Sequence, residues 1–418
     1  MNTDELLESI TTKLDKQNPT GDIVPERIRP VAIMTRERRQ LGDLERDFQK
    51  VLDTIKYDER VPPMLSRLAD LHLREANYGR AIILYEMTLG LNSEQVGSWI
   101  NMGLTYLLVG DPKDAISCLG SALAIEPDNV AALVYLAQAQ LRLGENEECN
   151  KNLDRALHIV ADHPRALLVK GKYFKTIGKV EVAVTWLKRA IQHNPQFLPA
   201  MMELGNVFFA LKQHDEAIAI LTDALAIDSE QPYALATMGD IHFDQSDPET
   251  AIYYYDKAIS IKFDDPELWI KKGDLHRSRK SYQQASNAYQ KAINANPEYV
   301  KAWVRNGAVM LLMQDESTAL EYLNTALALE PDNADVAHQR GLIFYSLEKH
   351  EDALDDFDKA FSVEPSNPMH LYYRALMLEI LDRIDEAKRT WVVAHSLFEQ
   401  AGDVTKAAEC NVRIKRIV

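Results

Sequence analysis

Apolar residues recur along this chain in two registers at once. Within short segments they fall three and four residues apart, the spacing of one face of an α-helix, and the segments themselves recur every 34 residues. That frame repeats in ten contiguous copies, starting at Pro62, Val96, Val130, Pro164, Leu198, Pro232, Pro266, Val300, Ala334 and Pro368 and ending at Ala401, with no residue inserted or lost between them. Each copy reads as two amphipathic helices, with a turn near positions 14 to 18 and another near positions 31 to 34. Gly110, Gly144 and Gly178 lie just past a first helix, where a left-handed residue ends the helix at low cost. Asp111-Pro112 and Asp247-Pro248 supply an N-cap followed by a proline at the first helical position. Pro127, Pro195, Pro297, Pro331 and Pro365 end second helices.

A second pattern concerns size. Position 8 is Ala69, Gly103, Ala137, Gly171, Gly205, Gly239, Gly273, Gly307, Gly341 and Ala375. Glycine inside a helix costs ~1 kcal/mol relative to alanine, so its repetition at one phase predicts close approach of a facing helix. Position 20 is Ala except for Cys149, and position 27 is Ala except for Thr88. Position 24 is always large: Tyr85, Leu119, Leu153, Leu187, Leu221, Tyr255, Tyr289, Leu323, Phe357 and Trp391. Small and large partners that alternate let helices interdigitate.

Trp99, Met102, Gly103 and Tyr106, followed by Ala115, Leu119, Ala122 and Pro127, stand at the spacing of the tetratricopeptide (TPR) pattern, with Met for Leu and Leu for Phe. The chain resembles that family over residues 62–401. The resemblance implies an all-α fold, a right-handed α-solenoid or TPR superhelix of helix-turn-helix units, in which each unit buries its apolar face only against its neighbours. Outside the array, residues 1–27 read as an amphipathic arm carrying Leu6, Leu7, Ile10 and Leu14, and 28–61 as a capping helix or half-repeat. Residues 402–418 read as a C-terminal capping helix with Val404, Ala408, Val412 and Ile417 on its apolar side. The frame departs from the family at position 7, where Lys170, Lys272, Asn306, Arg340 and Arg374 replace leucine; the long cations are expected to bury their stems and keep their heads in water.

Composition narrows the function classes. A net charge of -16 disfavours a non-specific nucleic-acid binder, which needs excess Lys and Arg against phosphates. Cys118, Cys149 and Cys410 form no C-x-x-C pair, which points to a reducing compartment. Met1 to Glu8 lack the features of a signal peptide and no apolar run reaches ~18 residues, so a cytoplasmic protein with no membrane partner is expected. No phosphate-binding loop, dinucleotide fingerprint, zinc-protease or nucleophile-elbow motif occurs, and an array without insertions leaves no room for a catalytic domain. The chain is therefore read as non-enzymatic, with no metal and no cofactor. His72, His242 and His276 share position 11, the consensus Tyr site, which makes them packing residues.

The resemblance assigns function to the inner surface, at positions 2, 5, 9, 12 and 13 of the first helices. That stripe starts apolar with Ile100, Leu104 and Leu107 and turns basic with Arg142, Arg165, Lys172 and Lys175. It continues through Asn206, Phe209 and Phe243, turns acidic around Asp240, Asp244, Glu267 and Asp274, and ends in Lys301, Val304, Leu311, Tyr345, Tyr372 and Leu376. Two readings stand: ordinary solvated surface with apolar packing between first helices, or an extended peptide site whose charge pattern fixes the direction of the bound segment. Lys301 and Arg305 match the last pair of the carboxylate clamp found in chaperone-tail TPR domains, but Lys271, Ala236 and Asp240 stand where its other members belong. A Hsp70/Hsp90 C-terminal tail is therefore not the expected partner. The leading expectation is a scaffold or adaptor binding an unidentified protein or peptide, with a self-assembling homo-oligomer as the alternative.

Overall fold

The computed structural model describes residues 61–416, so the expected arm at 1–27 and all but the last residue of the expected cap at 28–61 lie outside them. The described residues form twenty-one α-helices with no strand among them. The described residues divide into two compact units, the first ending at Leu211 and the second beginning at Lys212, with the boundary inside the fifth repeat of the frame. In the first unit lie α1 (Val61–Arg74), α2 (Tyr78–Leu91), α3 (Val96–Val109), α4 (Pro112–Ile125), α5 (Val130–Leu143), α6 (Asn146–Ile159), α7 (Pro164–Thr176), α8 (Val180–His193) and α9 (Leu198–Ala210). The second holds α10 (His214–Ile227), α11 (Pro232–Asp244), α12 (Pro248–Ile261), α13 (Pro266–Ser278), α14 (Tyr282–Ala295), α15 (Val300–Leu312) and α16 (Glu316–Leu329). It continues with α17 (Ala334–Ser346), α18 (His350–Val363), α19 (Pro368–Ile380), α20 (Ile384–Gln400) and α21 (Val404–Arg416).

Local chemistry accounts for these boundaries. The Asp111 carboxylate accepts the Asp114 N–H at 3.1 Å and Asp247 accepts that of Thr250 at 3.2 Å, each with proline next to the cap. Left-handed residues end all ten first helices, not just the three with glycine: Ala76, Lys212, Ser246, Lys280, Gln314, Glu348 and Asp382 take φ near 60° at the same position 15 as Gly110, Gly144 and Gly178. The turn satisfies the last carbonyls, as when Ser246 N–H donates to Phe243 O at 3.0 Å and Asp247 N–H to His242 O at 2.8 Å. Trp at position 4 closes the other turn. The indole N–H groups of Trp99, Trp269 and Trp303 donate to the carbonyls of Ser93, Phe263 and Pro297, six residues upstream, at 2.7 to 2.8 Å.

Within each unit, first helices pack on their own second helices and on the second helix before them, as α3 does on α4 and α2. First helices also touch one another, α1 to α3 through α7 to α9 in one unit and α11 to α13 to α15 in the other. The expected size code is carried into the core. All ten position-24 side chains are at most 1% exposed, and the residues at positions 20 and 27 are fully buried. Gly103, Gly171, Gly239 and Gly273 face Leu119, Leu187, Tyr255 and Tyr289 so closely that a methyl group would overlap them. Burying each large side chain contributes ~1.5–3 kcal/mol.

Two expectations are corrected. The position-7 cations are not left to water alone but pair across the stack, and Lys170 is withdrawn from water altogether. Lys170, 3% exposed, donates to Asn150 and Asp154 at 2.6 Å, and Lys272 meets Asp256 at 2.5 Å. Arg340 binds Asn324 at 2.7 Å and Asp356 at 2.6 Å, and Arg374 binds Asp358 and Thr390. In each case a position-7 residue reaches position 25 of the preceding repeat, sixteen residues back, because an ammonium or guanidinium buried without an acceptor is costly. Asn306, too short for this reach, is fully buried with neither side-chain polar atom hydrogen-bonded. The C-terminal helix α21 buries a different face from the one expected. Ala407 and Cys410 are buried, with Ile414 packed beside them, whereas Val404 and Val412 are 78% and 49% exposed.

Candidate protein-interaction face

The first helices present positions 2, 5, 9, 12 and 13 side by side, and in each unit this face carries both apolar and charged groups. In the first unit Ile100 and Leu107 are packed into the stack at 8% and 1% exposure, with Leu104 half-buried between them. Arg142 donates to the Leu107 carbonyl. Arg165 lies over the Tyr135 ring, 5.1 Å from its centroid, and also donates to its hydroxyl. Lys172 and Lys175 converge on Glu203, at 3.6 and 2.7 Å, and only 13% of that carboxylate side chain is exposed. The basic stretch is thus largely answered from within. Asn206 and Phe209 are half-buried on α9.

In the second unit the acidic stretch is likewise engaged. Asp240 accepts the buried Tyr255 hydroxyl at 2.7 Å and pairs with Lys271 at 2.6 Å. Asp274 accepts the Tyr289 hydroxyl at 2.7 Å, with Arg305 at 3.7 Å. In the first unit Asp70 repeats the arrangement with Tyr85 at 2.6 Å and Asn101 at 2.9 Å. Position 24 therefore donates to position 9 of its own repeat, and position 9 holds position 6 of the next. Burial, and then the neighbouring carboxylate, push the phenols of Tyr85, Tyr255 and Tyr289 far above their ordinary value, so all three stay protonated donors. Sequence reading missed Glu203 and Asn101 in this role. The signal was the spacing of 31 residues between a position-9 group and its position-6 partner.

Further along, Lys301 pairs with Glu267 at 2.7 Å, two position-2 residues one repeat apart. Glu267 also accepts the Tyr299 hydroxyl at 2.7 Å, and these bonds hold its carboxyl below the usual range against the opposing effect of burial. Arg277 and Arg305 share one Asp274 oxygen at 3.7 Å, and Arg277 Nε has no hydrogen-bond partner. Beside them the face is apolar. Phe243 is 37% and Leu312 50% exposed, and Leu311 and Tyr345 are half-buried. Tyr372 does not share this exposure: α21 covers it, with Lys406 4.3 Å from its ring centroid and Glu409 accepting its hydroxyl, leaving it 7% exposed.

Reactive groups are sequestered. Burial pushes the thiols of Cys118, Cys149 and Cys410 up to about 12, 11 and 11, so none is a ready nucleophile. Among the described residues no three His, Cys, Asp or Glu side chains gather as metal ligands would, and no helix is long and apolar enough to cross a membrane. His72, His242 and His276 are half-buried, and the His242 ring stacks on Tyr254 at 5.4 Å.

Residues 5–231, more than half of the 418, match the model of the Cilia and flagella-associated protein 70 C-terminal domain. One tetratricopeptide repeat model matches 232–265 and 266–299, and a second matches 313–361 and 338–391. No curated protein matches the chain. Among solved structures, the APC/C hetero-tetramer Cut9-Hcn1 is similar at 16% identity and a TM-score of 0.48, covering 81% of this chain and 82% of that one. A tetratricopeptide repeat protein from Parabacteroides merdae shows 17% identity and a TM-score of 0.47 over 60% of this chain and 98% of that one. PilF of Pseudomonas aeruginosa shows 20% and 0.44 over 52% and 97%.

Proposed function

The chain belongs to the tetratricopeptide-repeat family of the Cilia and flagella-associated protein 70 C-terminal domain, and from that membership we propose that it is a non-catalytic scaffold holding an extended segment of another protein against its first helices. One observation supports a particular place. Arg277 and Arg305 both lean on a carboxylate that Tyr289 already occupies, which leaves a surplus of positive charge next to exposed apolar side chains. A segment with an acidic side chain for the two arginines and apolar side chains for Leu311, Leu312 and Tyr345 complements that surface. The basic residues Arg165, Lys172 and Lys175 are weaker candidates, since Tyr135 and Glu203 already engage them.

The test is partner capture from native extract with the parent chain, an Arg277→Glu/Arg305→Glu variant, and a Lys291→Glu control on the exposed part of α14. Capture is expected to survive the control, fail in the double variant, and weaken with salt as screening grows. Partners kept equally by all three proteins would move the working surface elsewhere. Self-assembly remains a second reading because α21 turns Val404 and Val412 outward. Light scattering that stays monomeric at tens of micromolar would set it aside.

A further inference from the structure

Two histidines meet between the ninth and tenth repeats in a way the fold does not require. His338 on α17 and His370 on α19 bring their Nδ1 atoms to 3.1 Å, with ring centroids 4.9 Å apart. His370 is 1% exposed, and its other nitrogen, Nε2, lies 3.3 Å from the Glu364 carboxylate in the turn before α19. A contact between two Nδ1 atoms holds one proton and no more. With Nε2–H donated to Glu364, His370 offers a lone pair at Nδ1, and His338 fills it with its own Nδ1–H. If His370 instead carries both protons, it donates to Glu364 and to a lone pair on His338. Either arrangement satisfies every facing atom. Protonating both rings sets N–H against N–H and positive charge against positive charge, in a site walled by Phe357 of α18 and Tyr373 of α19, each about 5 Å from the His338 ring.

We propose that His338 and His370 form an acid-sensitive latch that joins repeats nine and ten at neutral pH and releases repeat ten with α21 when both rings take a proton. The groups facing the pair are Glu364 from the turn, Asp335 one helical turn earlier on α17 and the Tyr373 phenol, while α18 presents the apolar Phe357 ring. Asp335 favours the His338 cation but is outweighed. Burial, reinforced by His370, pushes His338 from its ordinary 6.5 down to about 4. The sign follows by linkage. An opened tenth repeat takes up the proton near pH 6.5 and the closed one near 4, so closure is favoured fully above 6.5 and loses ground as pH falls through that window. The latch acts whether or not a partner lies on the first helices.

Amide exchange of the full chain at pH 7.5 and pH 5, corrected for intrinsic rates, reads it directly. Protection over residues 364–416 is expected to fall roughly thirtyfold more than in the first unit, the factor given by a proton taken up near 6.5 in the open form and near 4 in the closed one. In His338→Phe, which keeps a ring against Phe357 and Tyr373, that excess fall is expected to vanish. His338→Gln, which keeps a donor towards His370 but does not titrate, serves if the Phe variant is already open at pH 7.5. An excess fall that persists in a folded variant overturns the latch, as does parent protection that drops equally in both units.

Discussion

A single hydrogen-for-methyl exchange decides the spacing of the helices at position 8. A methyl placed on Gly171 would lie 2.7 Å from Leu187 Cγ and 2.8 Å from its Cδ2, inside any tolerable contact. On Gly307 the nearest atoms, from Leu323, are 3.3 Å away. Alanine recovers ~1 kcal/mol of helix propensity at either site, while overpacking costs ~1–3 kcal/mol where nothing can yield. Gly171→Ala is therefore expected to lose up to ~2 kcal/mol and to be less stable than Gly307→Ala, which should stay within ~0.5 kcal/mol of the parent, read from urea midpoints by circular dichroism. Equal losses at the two sites would mean that contact distance does not govern this position.

The turn between the helices of a repeat places a left-handed residue at position 15 in all ten copies, and seven of these are not glycine. For an L-residue that conformation costs ~1–2 kcal/mol, and glycine, which removes this cost, adds back ~0.5–1 kcal/mol through the freer unfolded chain. Lys280, exposed with φ 59°, is the simplest place to collect the difference. Lys280→Gly should stabilise by ~0.5–1 kcal/mol, measured as a rise in the midpoint of the transition that includes α13 and α14. A fall would show that the lysine side chain contributes something its backbone does not reveal. The capping helix illustrates the limit of patterning in one element. Val404, Ala408 and Val412 and the set Ala407, Cys410 and Ile414 both satisfy helical spacing, and only packing against α20 selects the second.

Across the array, repeats are joined by apolar interlock and by polar rungs that recur at fixed spacings. Tyr255, Asp240 and Lys271 form one rung, in which Asp240 serves a donor from its own repeat and one from the next. Asp240→Ala leaves a buried hydroxyl without its acceptor, a loss of ~1–3 kcal/mol, and in a chain stabilised by neighbour contacts the damage should stay local. Exchange over residues 232–299 should accelerate, with the first unit unchanged. Uniform acceleration over the whole chain would instead indicate a single cooperative body.

The helical class, the 34-residue period and the size code of positions 8, 20, 24 and 27 were legible in the sequence, because each follows from near neighbours and a repeated steric demand. The family followed from the same residues. What Arg165, Lys172, Asp240 and Asp274 do was not legible, since charge at a surface position reads the same whether water or a residue thirty positions away answers it. Lys170 reads by pattern as a cation reaching for solvent, whereas Asn150 and Asp154 hold its ammonium within the stack. Left-handed turns at Lys280 or Glu348 carry no compositional mark, because the packing of the two helices imposes them on whatever residue is there. Periodicity names the side of a helix that can be buried. Tertiary contact alone decides which side is buried and which charges are answered, since both depend on atoms brought together from distant parts of the chain.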